Sequence, residues 1–168
     1  MIATRDATPE DVFILNKILR AAKGYWGYSE ADLDIFMEKY QFDAAYISEH
    51  LMKICILNGT VIGFFSFLNN KPGCLDLDDL FLLPEFIGKG LGKILWSHAC
   101  QLAKSLGHSE FIVWSEFHAE GFYLKMGCKI VGSREASLKT EEIKTSAIFR
   151  YVLGEGGYEN LPDPLCEA

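Results

Sequence analysis

The chain has 168 residues, 49% of them apolar and 23% charged, a composition that suits one soluble globular domain with a substantial core. A formal charge of −7 excludes the basic face that nucleic-acid binding needs, and it favours cationic partners. No apolar run approaches the ~18 residues of a membrane span, and residues 1–6 lack the basic-then-apolar pattern of a secretory signal. Residues 2–7 read as a short strand. Thr8-Pro9-Glu10-Asp11 carries a hydroxyl N-cap, a proline at the first helical position and two acids, so a helix is predicted to start there. Val12, Leu15, Ile18 and Leu19 continue it at helical spacing to about Ala22. The aromatic stretch Tyr25-Trp26-Gly27-Tyr28 interrupts, and Ser29 caps a second helix with Leu33, Phe36, Met37 and Tyr40 on one face.

From Lys53 the pattern changes to strands. Residues 54–57 and 61–68 flank Asn58-Gly59, the signature of a two-residue hairpin. A turn at 69–73 leads to a third strand over 75–83, and a helix from about Gly90 to Ser105 ends before Gly107. Residues 111–114 form a buried strand and 119–126 a short helix closed by Gly127. Two further strands follow over 129–135 and 146–153. Alternating strands and helices in the second half predict an α/β layered fold. The expected organisation is one domain over 1–153 and a tail over 154–168. The five cysteines, Cys55, Cys74, Cys100, Cys128 and Cys166, are scattered without a CxxC pair, as expected of reduced thiols in a cytoplasmic protein. His50, His98 and His108 show no ligand spacing, so no metal is expected.

Gly88, Gly90 and Gly92, interleaved with Lys89, Leu91 and Lys93, carry the most specific chemistry. They follow an apolar strand and Pro84 and open a helix. Glycines let backbone N–H groups converge, and a helix N-terminus adds roughly +0.5 of a charge, so the segment suits a phosphate with Lys89 and Lys93 as mobile cations. It is not a P-loop, since GxxxxGK followed by Ser or Thr is absent. Nor is it a dinucleotide fingerprint, because GxGxG replaces GxGxxG and follows a hairpin and a third strand.

In order and motif the chain resembles the GCN5-related N-acetyltransferase superfamily. The resemblance rests on residues 87–92, on Ala119-Glu120-Gly121-Phe122-Tyr123-Leu124-Lys125-Met126-Gly127-Cys128, and on the Thr8-Pro9-Glu10-Asp11 helix start. It implies an acyl-CoA N-acyltransferase fold, with a central mixed, mostly antiparallel sheet of about six or seven strands and about four helices. It also implies acetyl-CoA as cofactor, with CoA as product, and a primary amine of a small molecule or peptide as acceptor. A homodimer is a further implication. Ile87 departs from the superfamily's polar residue, which leaves the phosphates to the backbone amides. Glu116 stands where an asparagine often contacts the pantetheine arm, so its carboxylate either repels phosphate or binds the amine, and His118 is positioned to take over the polar contact.

Acetyl transfer needs a neutral amine, stabilisation of a developing oxyanion and a proton for the leaving thiolate. By resemblance the third strand contacts the cofactor through Leu80, Phe81 and Leu82, with Leu82 as the oxyanion donor. Tyr123 matches the tyrosine that protonates the thiolate. Asp78 and Asp79 are expected on opposite faces of a regular strand. Asp78, sharing parity with Leu80 and Leu82, is the favoured acid, with Asp79 as its substitute should a bulge intervene. Tyr25, Trp26 and Tyr28 overhang the acceptor site in the resembled fold and suit an ammonium or alkyl group. The alternative function is a catalytically weak CoA-binding sensor or interaction module on the same fold.

Overall fold

The computed structural model describes residues 2–71, 73–136 and 144–155. Strand β1 (Ile2–Asp6) leads through a 3-10 turn (Pro9–Asp11) into α1 (Val12–Gly24). Asp11 organises this junction. It accepts both guanidinium nitrogens of Arg5 at 2.7 Å and the Thr8 N–H at 2.8 Å, which holds its carboxyl down near 2. Helix α2 (Glu30–Tyr40) starts where Ser29 Oγ accepts the Asp32 N–H at 3.2 Å. Helix α3 (Ala44–Glu49), capped by Asp43, was not expected from the sequence, because six residues are too few to display a helical period.

Strands β2 (Leu51–Leu57) and β3 (Thr60–Lys71) are joined by Asn58 and Gly59, both at positive φ, in the expected two-residue hairpin. Then follow β4 (Cys74–Leu82), α4 (Leu91–Ser105), β5 (Glu110–Trp114), α5 (Glu120–Lys125), β6 (Lys129–Ala136) and β7 (Lys144–Val152). The strands form one sheet in the order β1-β2-β3-β4-β5-β7-β6, antiparallel except for β4 with β5. This is the expected mixed, mostly antiparallel sheet, with α3 as a helix beyond the four anticipated. Beyond Glu155 the anticipated tail lies outside the described residues. No helix among the described residues is long and apolar enough to cross a membrane.

Two cores sandwich the sheet. Leu15, Ile18, Leu19, Phe36 and Ile47 from α1, α2 and α3 pack on Met52, Ile54 and Phe64. On the other face Leu95, Trp96, Ala99 and Tyr123 from α4 and α5 pack on Phe65, Leu77, Phe111, Val113 and Phe149. Trp96 is fully buried against Phe111 and Tyr151, and burying such a ring contributes about 2–3 kcal/mol.

The sheet splits between its two parallel strands. β4 pairs with β5 only at Asp76↔Ile112 and Leu77↔Val113, and then the strands part. β4 runs on to Leu82 with β3 alone beside it, so its other edge is open to a ligand.

Candidate active site

The glycine turn follows the open end of β4. Gly88 and Gly90 have φ of +79° and +81°, and a Cβ at either would meet open space. Backbone conformation, not crowding, therefore selects glycine there. Gly90 is the N-cap of α4, and the first N–H groups of that helix have no intrahelical acceptor. Ile87 packs against the core under α4, so its side chain takes no part in the cradle. Gly92 has a different role, since a Cβ there would lie 3.3 Å from the Phe122 ring. Lys89 is exposed, with its ammonium 5.8 Å from the centre of the Phe86 ring, and Lys93 projects from the first turn of α4. The turn fits a phosphate-bearing group held mainly by backbone.

Leu83 N–H donates to Ile62 O at 2.8 Å, on the β3 side. Successive N–H groups alternate across a strand, so those of Leu82 and Leu80 face the open edge and that of Phe81 faces β3. The side chains of Leu80 and Leu82 belong to the α4 core, whereas the Phe81 ring lies with the α1–α3 core.

The parity expected for the two aspartates is corrected by a bulge. Ser66 pairs with Asp79 and Phe67 with Leu77, which leaves Asp78 as an extra residue in β4. Leu77 and Leu80 both face α4, so Asp78 and Asp79 both project towards α1–α3, and Asp78 does not share the side of Leu80 and Leu82. Asp78 is exposed and accepts the Tyr46 hydroxyl at 3.2 Å. Asp79 is half-buried and accepts Ser66 Oγ at 2.6 Å. Burial, with the Asp78 charge beside it, pushes the Asp79 carboxyl up to about 7, against the pull of Ser66 and Lys23. Although the residue as a whole is exposed, partial desolvation of its carboxyl also raises Asp78, opposed by Tyr46, Arg134 and His50.

Lys23 was not among the expected site residues, yet its ammonium reaches this opening. It is 5% exposed, sits 4.6 Å from the centre of the Phe36 ring and 5.9 Å from that of Phe81, and forms an ion pair with Glu116. Burial pushes it down to about 8, while Asp79 holds it up. A signal was present: Lys23 falls four residues after Leu19, on the apolar stripe of α1. Ser66, alone among Phe64, Phe65 and Phe67, was a similar signal.

Tyr123 is buried on α5 against Trp96 and Phe149, with ring centres 5.9 and 5.8 Å away. Glu120 fixes this short helix to β7 by accepting the Ala147 N–H at 2.7 Å. Burial, the largest cause, pushes the phenol above its ordinary value. His118 stacks on Trp26 at 5.0 Å and 4°, with Tyr28 edge-on at 6.4 Å. Tyr25 packs edge-on to Trp26 at 4.9 Å. The aromatic loop and the segment after β5, separate in sequence, are thus one cluster, half-exposed at Tyr25 and Trp26.

The sequence model of the acetyltransferase (GNAT) family matches residues 15–128. A 59-residue segment is 41% identical to the peptidyl-lysine N-acetyltransferase YjaB of Salmonella typhimurium, covering 35% of this chain and 39% of that protein. The chain therefore spans well under half the length of this relative. Among solved structures, the PaiA N-acetyltransferase of Thermoplasma acidophilum, in complex with coenzyme A, is similar with a TM-score of 0.71 at 22% identity, over 90% of this chain and 99% of that one. YncA of Salmonella typhimurium, described as a putative acetyltransferase and solved with acetyl-CoA, is similar with a TM-score of 0.65 at 18% identity, over 98% and 99%. Likeness at these identities is one of fold. With the family model matched across 15–128, the chain belongs to the acetyltransferase (GNAT) family.

Proposed function

We propose that the protein is an N-acetyltransferase that moves an acetyl group from acetyl-CoA directly to a primary amine. The observation that carries this reading is the parting of β4 from β5, with the Leu82 N–H turned away from β3 on the open edge and the glycine turn following it. Bound acetyl-CoA supplies the activated thioester; the rest of the chemistry falls to side chains and amides of this chain. Backbone N–H groups around Gly88, Gly90 and Gly92 hold the pyrophosphate, with Lys89 and Lys93 beside them. The Leu82 N–H donates to the thioester oxygen as charge develops there, with Leu80 next along the same edge.

Asp79, near neutrality in pKa, takes the proton of the incoming ammonium. Asp78, exposed and polarised by Tyr46, attracts the cation. Tyr123 gives its proton to the departing sulfur as the C–N bond forms and the C–S bond breaks, and the second proton shed by the nitrogen as it becomes an amide restores the phenol. Tyr25, Trp26, Tyr28 and His118 form the aromatic wall of the acceptor entrance. The free cysteines Cys55, Cys74, Cys100 and Cys128 suit a cytoplasmic setting. Thiol release from acetyl-CoA across a panel of primary amines tests the reading. Acetylated amine must accumulate one-for-one with thiol, and thiol without acetylated amine would overturn it.

A second reading, a CoA-binding sensor with weak catalysis, is favoured by Ile87, whose polar counterpart is missing from the cradle. It requires stabilisation by acetyl-CoA with no turnover of any amine.

A further inference from the structure

The core beneath α1–α3 draws its strand residues from β2, β3 and β4 only, so β5, β7 and β6 flank the opening without belonging to that core. On those strands Arg134 pairs opposite Ser146, and Trp114 opposite Ile148. Positions 146 and 148 alternate with Ala147 and Phe149, which lie in the α4 core, so they face the side of the sheet that carries Asp78 and Asp79. Arg134 and Trp114 share that side, with the guanidinium carbon 5.6 Å from the centre of the indole ring. A guanidinium held over an aromatic face keeps its N–H edge for a planar anion.

The other cation at the opening, Lys23, already has a carboxylate partner in Glu116, while Asp79 and Asp78 accept the hydroxyls of Ser66 and Tyr46. Arg134, by its charge, favours the ionised form of Asp78 and disfavours that of Lys23. Among the described residues it has no carboxylate within ion-pair distance; its partner is the Trp114 ring.

We propose that Arg134 anchors a carboxylate on the acceptor, so that the substrate class is small amino acids rather than plain amines. The inference rests on the acetyl-transfer reading above and specifies its acceptor: the amine lies at Asp79 while the carboxylate lies against Arg134 over Trp114. One carboxylate balances one guanidinium. A doubly charged phosphate in the same position would bring a second negative charge to the side of the sheet that carries Asp76 and Asp78.

The test compares amino acids with their neutral, isosteric amides: β-alanine with β-alaninamide, 4-aminobutyrate with 4-aminobutyramide, and L-lysine with L-lysinamide. For wild type, Arg134→Gln and Arg134→Lys, kcat/KM is measured with acetyl-CoA, and binding of the same pairs to CoA-saturated protein is measured by calorimetry. Wild type is expected to favour the acid of at least one pair by about tenfold, carried by KM and Kd. Arg134→Gln is expected to bring that ratio to within about twofold of one, and Arg134→Lys to restore part of it. Amides equal to acids in every pair, or a ratio unchanged by Arg134→Gln, would overturn the proposal. If no pair is acetylated although acetyl-CoA stabilises the protein, the acetyl-transfer reading fails instead, and the calorimetric ratio still decides the role of Arg134.

Discussion

Lys23, in the last turn of α1, forms an ion pair with Glu116, two residues beyond β5, and the pair spans the gap where β4 and β5 part. Glu116 departs from the asparagine of the resembled superfamily, and Lys23 supplies the reason. A lysine held between the Phe36 and Phe81 rings has lost most of its hydration and needs a carboxylate beside it. The negative charge at 116 is therefore neutralised within the protein rather than presented to a phosphate.

Breaking this pair from its two ends should have unequal costs. Glu116→Gln leaves a buried ammonium with only Asp79 to offset it and is expected to destabilise by about 2–4 kcal/mol in urea unfolding. Lys23→Met keeps the stem against both rings and frees a Glu116 side chain that is one-third exposed, so a loss of about 1 kcal/mol or less is expected. The double variant should recover most of what Glu116→Gln loses. Equal losses from the two single variants would show that Lys23 is not the dependent partner.

The glycine turn, the hairpin, the capped helices and the short helix that carries Tyr123 were legible because each depends on neighbours a few residues apart. Gly88 and Gly90 declare a left-handed backbone by their identity, and Ser29 declares a helix start. Asp78 and Asp79 were not legible. Which way they point depends on a bulge, and a bulge is a property of two strands whose register no single segment contains. Lys23 and Ser66 were polar intrusions into apolar patterns, visible but uninterpretable until Glu116 and Asp79 came beside them. Arg134 sits in an exposed strand where a charge is ordinary, and only Trp114 across two strands makes its position distinctive.

Asp79 should set the acidic limb of the pH–rate profile. As a proton acceptor it works deprotonated, so kcat/KM is expected to rise with pH through about 7. Ser66→Ala removes the hydroxyl that stabilises the carboxylate and should move that limb to higher pH. Asp79→Asn should lower kcat/KM by about 10²-fold or more and abolish the limb. Folding is linked to the same group. Its folded pKa lies above the ordinary 3.8, so between about 4 and 7 the native state keeps a proton that the unfolded chain has lost. Its contribution to stability is therefore greatest at low pH and declines as pH rises through that window. Stability of wild type relative to Asp79→Asn, followed by urea unfolding from pH 4 to 8, should fall with pH; a flat difference would contradict the raised pKa.

Gly90→Ala separates backbone binding from side-chain binding at the phosphate cradle. Alanine at φ +81° costs about 1–2 kcal/mol, so the turn must relax and its N–H groups lose their common direction. Affinity for acetyl-CoA, read by calorimetry, is expected to weaken about tenfold, while Lys89→Ala, which removes an exposed cation, should weaken it about threefold or less. The opposite order would mean that the lysines, and not the amides, hold the phosphates.

Tyr123→Phe tests the chemistry with the least disturbance to the fold. The ring packs against Trp96 and Phe149, and phenylalanine keeps those contacts. Only the hydroxyl is lost. If that hydroxyl protonates the departing thiolate, kcat should fall by about 10²-fold with the Kd for acetyl-CoA within about twofold of wild type. The burial that raises the phenol pKa also keeps the proton on oxygen until the sulfur takes it, so the variant should lose rate at every pH rather than shift the acidic limb set by Asp79. An acceptor whose reaction is limited by thiolate departure should show the full loss, and a thioester with a more acidic thiol should recover part of it, because a better leaving group needs the proton less. Unchanged kcat with acetyl-CoA would remove Tyr123 from the reaction and leave it as a core residue of α5.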